Sequence, residues 1–165
     1  MYEASILAQN FDTIAVTIQW IAILMGVCLT LGGLFQLKRL AESRTMMSSQ
    51  HSAAGPLLML IAGAMLMILP KVIGLALLSF FGKSSPMSYE GGPSGYNSLM
   101  HPILMFVRII GVASFIRGIL MIARAGGQQS QPGTVGKAIV HIFAGIMCVN
   151  IIGTLTILKD ILGLT

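Results

Sequence analysis

The stretch HPILMFVRIIGVASFIRGILMIA, residues 101–123, combines an apolar run long enough to cross a membrane with two arginines. At about 1.5 Å of rise per residue, roughly 20 apolar residues span the hydrocarbon core of a bilayer. The rest of the chain has the same character, since 55% of its 165 residues are hydrophobic and only 9% are charged. These values are typical of a membrane protein and exclude an ordinary soluble domain.

Three further apolar runs of similar length predict membrane-spanning helices at about 17–37, 57–81 and 138–158. A spanning segment must satisfy its backbone polar groups internally, and the alternating pattern of a membrane β-barrel is missing. The predicted fold is therefore an all-α polytopic bundle of four transmembrane helices in a single membrane domain, residues 1–165.

Lysine and arginine concentrate in two of the connecting segments, residues 38–56 and 124–137. Because positively charged loops are retained on the cytoplasmic side, both segments are predicted to be cytoplasmic. The connector at 82–100 has little net charge and is predicted to be periplasmic. Both termini are then periplasmic, as an even number of spans requires.

A short internal similarity relates Ser49–Met65 to Ser130–Met147, which share Ser-Gln and, after a one-residue shift, Ala-Gly-x-Met. Each stretch joins a predicted cytoplasmic loop to an outward-running helix. The similarity has two possible explanations: either the chain contains two parallel helical-hairpin repeats, or apolar helices resemble one another by coincidence.

Three basic residues fall inside the predicted spans: Lys71, Arg108 and Arg117. A charge at a helix centre costs about 2.5 to 3.5 kcal/mol on insertion scales. All five acidic residues lie outside the spans or at their ends, and Asp12 or Asp160 is placed to reach Arg108. The other two cations either extend to the membrane interface or contact a partner subunit or a hydrated interior. Lys71 also follows a proline that can kink its helix.

Small residues in three of the spans predict close approach of a neighbouring helix. They are Gly111, Ser114 and Gly118 in the third span, Ala144 and Gly145 in the fourth, and Gly26, Gly32 and Gly33 in the first. Asn150, in the fourth span, is expected to hydrogen-bond between helices.

The sequence contains no recognisable reactive constellation. The stretch GTVGKA, residues 133–138, lacks the first glycine and the hydroxyl residue of a phosphate-binding loop. The three histidines lack metal-ligand spacing, and there is neither a paired-carboxylate site nor a nucleophile triad. We therefore expect no enzyme activity, no catalytic residue, no metal and no cofactor. The basic residues of the loops are better explained by the orientation of the chain in the membrane than by binding to nucleic acid.

Three stretches carry a resemblance to a known family: ESRTMMSSQHSAAGPLLML at 42–60, HPILMFVRIIGVASFIRGI at 101–119 and GGQQSQPGTVGKAIVHIFAGI at 126–146. They resemble the IcmC/DotE family of small polytopic inner-membrane proteins, which serve Dot/Icm type IVB secretion and have relatives in IncI-type conjugation machinery. The resemblance covers most of residues 35–160. DotV-like paralogues share the pattern, so the individual member stays open.

The resemblance implies a non-enzymatic inner-membrane subunit of a complex that exports effector proteins, or DNA with its pilot proteins, from a bacterium. The implied partners are membrane lipid and related small polytopic subunits in a hetero-oligomer, without direct contact to nucleic acid. Contact residues are expected in the two basic loops: Arg44, Gln50, His51, Gly126, Gly127, Gln131 and Pro132. The alternative is a stand-alone transporter or anion channel that forms a homo-oligomer.

Overall fold

The computed structural model describes residues 2–44, 53–82, 97–125 and 133–163, and nearly all of them belong to six α-helices. In chain order the helices are α1 (Tyr2–Arg44), α2 (Ala54–Met67), α3 (Leu69–Phe81), α4 (Asn97–Ala125), α5 (Thr134–Val149) and α6 (Ile151–Leu162). No β-strand occurs in these four ranges. The helical class predicted from the sequence is confirmed for them.

Two helices are, as single segments, long and apolar enough to cross a membrane: Gln9–Glu42 within α1 and Pro102–Ala125 within α4. They overlap the predicted spans at 17–37 and 101–123. At 43 residues, α1 is roughly 64 Å long and continues into the segment predicted to be a loop. Its last two turns contain good helix formers and an i,i+4 pair between Lys38 and Glu42 at 3.9 Å, so the helix has no local reason to stop earlier.

The predicted span at 57–81 is divided into α2 and α3, which are bent by 89°. This bend confirms the kink expected from the proline. Pro70 has no N–H for the Leu66 carbonyl, and its ring would clash with that carbonyl in a straight helix. Between the two helices, Ile68 leaves the helical conformation with φ −105° and ψ 26°. Its N–H still bonds to the Ala64 carbonyl at 3.3 Å.

The predicted span at 138–158 is also divided, and here the expectation of one continuous helix is wrong. Helices α5 and α6 are bent by 98° at Asn150, whose φ is −117° and ψ is 62°. The Asn150 side chain accepts a hydrogen bond from the Gly153 N–H at 3.2 Å and so caps α6. The predicted interhelical role of Asn150 is corrected to that of a local N-cap, which asparagine fills well.

The described chain therefore has two helices that can span a membrane, or up to four spans if each bent pair crosses as one. Many large apolar side chains are exposed, among them Trp20 at 64% and Ile161 at 75%, and α6 buries none of its residues. Such surfaces are stable in lipid, because lipid chains are as apolar as the side chains that they cover.

Contacts divide the chain into two compact units. One contains the described residues within 1–19, 70–115 and 143–165, and the other those within 20–69 and 116–142. The second unit encloses Leu66, Leu69 and Ile119, whereas Leu77 is the largest enclosed side chain of the first. The first unit also contains two aromatic pairs, Phe11 with Phe106 and Phe80 with Phe143.

Candidate functional site

Helices α1 and α2 meet at two glycines that lie seven residues apart on α1. A methyl group at Gly26 would lie 2.8 Å from the Gly63 carbonyl oxygen and 3.0 Å from the Met67 backbone nitrogen. A methyl group at Gly33 would lie 3.1 Å from the Pro56 carbonyl oxygen. Distances this short leave no room for a side chain, so backbone packs directly on backbone.

Helices α4 and α5 meet in the same way at Gly111 and Gly118, which are also seven residues apart. A methyl group at Gly111 would lie 2.9 Å from the Gly145 carbonyl oxygen and 2.8 Å from the Val149 backbone nitrogen. One at Gly118 would lie 3.0 Å from the Ala138 carbonyl oxygen. The predicted packing residues Gly111, Gly118 and Gly145 are thus all found at a close contact between two helices.

These two contacts, α1 with α2 and α4 with α5, are called the glycine seams below. In each seam the second helix contributes a glycine from an Ala-Gly pair, Gly63 in α2 and Gly145 in α5. That second helix ends at a break five residues after the glycine. This Ala-Gly pair belongs to the internal similarity in the sequence, so this part of the similarity falls at corresponding places in the structure. The neighbouring alanines differ, since Ala62 is buried whereas Ala144 is exposed. Ser114 is half-buried on α4.

Asp12 and Arg108 line the same cavity of about 200 Å³, together with residues from α1 and α4. Arg108 is half-buried, and it lies six residues, or about 9 Å, from the start of its candidate span at Pro102. The sequence placed Asp12 within reach of this arginine, and the structure brings both to one cavity. The other lining residues, such as Ile18, give no signal in the sequence, because a helix that is apolar on most sides does not show which apolar residues line a cavity.

Lys71 and Arg117 have a different environment, because both side chains are exposed. Lys71 is the third residue of α3, directly after the bend, and Arg117 lies on α4 eight residues before its end at Ala125. Neither side chain forms an ion pair with any residue in the four described ranges. In a membrane, two such cations need polar groups from beyond the described residues, in water, in lipid head groups or in protein.

The cytoplasmic contact residues expected from the resemblance lie mostly outside the described residues. This applies to Gln50, His51, Gly126, Gly127, Gln131 and Pro132. Arg44 is the last residue of α1.

Elsewhere in the described chain, no three His, Cys, Asp or Glu side chains form a group that could hold a metal ion. Cys28 and Cys148 are free thiols, of which Cys28 is exposed. The described residues offer close helix packing, a cavity lined by two opposite charges, and the exposed cations Lys71 and Arg117, which suit assembly and binding. Comparison with protein-family models, with characterised proteins and with solved structures finds no match to this chain.

Proposed function

We propose that the chain is a non-enzymatic inner-membrane subunit of a bacterial type IVB secretion or conjugation machine, related to the IcmC/DotE family. The resemblance of residues 42–60, 101–119 and 126–146 supports the assignment to this class of machine. In that setting the chain contributes to the inner-membrane complex, or to the channel for effector proteins, as one component of a hetero-oligomer.

The observation that carries this proposal is the exposure of Arg117 within a candidate membrane span. Arg117 is about 12 Å from the end of that span, and its exposed side chain faces lipid unless residues beyond the four described ranges or another subunit cover it. A charge at this depth costs about 2.5 to 3.5 kcal/mol on insertion scales, which an acid or a hydrated surface from a neighbour offsets. Exposed Lys71 gives the same reason for a partner at α3.

In the proposed topology, each bent pair of helices crosses the membrane once, so that the chain has four spans with both termini in the periplasm. The basic segments at 38–56 and 124–137 are then cytoplasmic. The matching glycine seams of α1 with α2 and α4 with α5 support two parallel repeats, each consisting of one long helix and one broken helix. A reporter fused after residue 90 is expected to be periplasmic, and one fused after residue 128 cytoplasmic.

Copurification from the native bacterium tests the function directly. A tagged chain, extracted in mild detergent, is expected to bring down several other polytopic membrane proteins in a constant ratio by mass spectrometry. Arg117→Gln should lower their recovery about tenfold, the loss expected when a charge-assisted contact is removed, while its own membrane level is unchanged. Lys159→Gln is the matched control, because Lys159 is exposed on α6 and lies near its end.

A chain recovered alone as a stable homo-oligomer would contradict the subunit proposal and favour the second candidate, an anion channel. The same two exposed cations motivate that candidate, since a ring of copies would surround a path with Lys71 or Arg117. Chloride flux into vesicles that is lost in Lys71→Met would then be the expected result. Chloride flux in the absence of copurifying subunits would support the anion channel. Copurifying subunits in the absence of chloride flux would support the secretion or conjugation machine.

A further inference from the structure

The cavity between α1 and α4 has a volume of about 200 Å³, and the proposed function does not use it. Eight residues line it: Phe11, Asp12, Ala15, Ile18, Met105, Arg108, Ile109 and Val112. On each helix they are one adjacent pair plus residues at further steps of three or four positions, so one face of each helix borders the cavity. Six of the eight are apolar, and the other two carry opposite charges.

We propose that this cavity binds one phospholipid with a zwitterionic head group that contains a phosphate and an ammonium, such as phosphatidylethanolamine. The phosphate binds to the Arg108 guanidinium, the ammonium binds to the Asp12 carboxylate, and part of one acyl chain occupies the apolar end of the cavity.

The position of the lining residues along the helices fits an amphiphile in this orientation. Ile18 and Val112 lie further into the two candidate spans than Asp12 and Arg108 do. A ligand with its head at the two charges therefore extends its chain toward the interior of the membrane. The volume exceeds the ~150 Å³ of an engineered apolar cavity that holds benzene, so a length of acyl chain fits.

The charges select the head group. A guanidinium has five N–H donors in a planar fork that matches phosphate, and it can bind a phosphate while it also bonds to protein groups. Asp12 is exposed, so its carboxylate is accessible to a ligand's ammonium. A purely anionic head group would meet Arg108 equally well but would be repelled by Asp12, which is why we assign a zwitterion.

Native mass spectrometry of the full, delipidated chain in detergent tests the site. Phosphatidylethanolamine, phosphatidylglycerol and inorganic phosphate are added separately at equal concentration. One phosphatidylethanolamine per chain is expected, with weaker binding of phosphatidylglycerol and none of inorganic phosphate. Bound lipid should also raise the thermal midpoint of unfolding in proportion to the logarithm of its concentration.

Variants distinguish the part of the cavity that binds the acyl chain from the part that binds the lipid head group. Val112→Phe fills the apolar end and should abolish retention of the lipid, whereas Val140→Phe, the same change at an exposed site on α5, should leave it unchanged. If Val112→Phe does not fold, Ala15→Phe fills the same cavity from α1. Arg108→Gln should weaken binding about tenfold, and Asp12→Asn should remove the preference for phosphatidylethanolamine.

Three outcomes would overturn the proposal. Equal retention by Val112→Phe and Val140→Phe would mean that the bound lipid lies elsewhere on the membrane surface. Equal binding of the two lipids to the unsubstituted chain would remove the assignment of the head group. Protection by inorganic phosphate alone would identify a free anion as the ligand of Arg108.

Discussion

The N-terminal half of the chain, α1 to α3, and the C-terminal half, α4 to α6, build the same contact although only a short stretch of their sequences is similar. Each half places two glycines seven residues apart on a long helix, and each packs a broken helix on them. The backbone atoms that meet occupy corresponding positions, Pro56 and Gly63 in one half, Ala138 and Gly145 in the other. The two halves share a close approach of helix backbones, and the side chains around the contact differ.

The halves break their second helix at the same position with different chemistry. In the N-terminal half, Pro70 follows the break and removes a backbone donor. In the C-terminal half, the described residues 133–163 around the break contain no proline, and Asn150 instead accepts a hydrogen bond from the Gly153 N–H. A bend near 90° therefore follows either from losing a helical bond or from capping a new helix start.

The halves also differ in their charges. The third residue of α3 is the exposed Lys71, and the third residue of α6 is Gly153. A methyl group at Gly153 would lie 2.8 Å from the Phe81 ring, so this position serves tight packing in one half and carries a cation in the other. Arg108 has no basic counterpart on α1 either, where Ile23 precedes Gly26 by the same three residues. The two halves thus share their glycine seams, whereas Lys71 and Arg108 each occur in only one half.

The largest expected effect comes from adding a methyl group to a glycine at either helix contact. Gly63→Ala and Gly145→Ala should each lower the free energy of unfolding by about 1 to 3 kcal/mol, because a methyl group at either glycine meets backbone atoms at 2.8 Å. The control Gly136→Ala lies in the same helix as Gly145 with nothing within 4 Å, and it should stabilise by up to about 1 kcal/mol. Denaturant unfolding in detergent measures all three. A loss in only one half would break the correspondence between the seams.

Removal of the cap at the second break should have a smaller effect. Asn150→Ala is expected to cost about 0.5 to 2 kcal/mol and to speed amide exchange at Gly153, whose N–H loses its acceptor. Exchange at the corresponding start of α3 should not change. Unaltered exchange at Gly153 would show that the cap does not hold the bend.

Contacts between aromatic rings from the two halves come next. Phe80 of α3 meets Phe143 of α5 edge-on, with ring centroids 5.6 Å apart, and Phe11 meets Phe106 at 6.0 Å in a tilted arrangement. Double-mutant cycles to leucine should give a coupling of about 0.5 to 1.5 kcal/mol for the first pair and less for the second, whose geometry is poorer. A coupling near zero for both pairs would mean that the rings contribute only burial.

The smallest expected effect concerns the end of α1. Lys38→Met removes the exposed pair with Glu42 and should cost at most about 0.5 kcal/mol, decreasing with added salt. The corresponding position on α4 is Ala123, which is buried and has no charge. A cost well above this range would indicate that Lys38 has a further contact in the folded chain.

Local sequence features predicted much of the architecture. Apolar runs predict the helices α1 and α4, and Pro70 indicates the first kink. Small size and, for Gly111 and Gly118, the seven-residue spacing predict the packing glycines of α4 and α5. The sequence does not predict the capping role of Asn150, because an asparagine inside an apolar run is equally compatible with an interhelical bond and with a helix cap. The sequence does not predict the cavity at Arg108. It marks Asp12 by its charge, but the apolar residues beside it carry no signal.

The sequence by itself determined that this chain is helical and apolar enough for a membrane, because hydropathy and backbone satisfaction depend on each segment alone. Only the tertiary structure decided which helix faces meet, where the second break falls and which residues enclose the cavity. The physical reason is that a helix apolar on most sides carries no periodic signal for its packed face. In lipid, a leucine that contacts protein and a leucine that contacts an acyl chain have nearly the same environment.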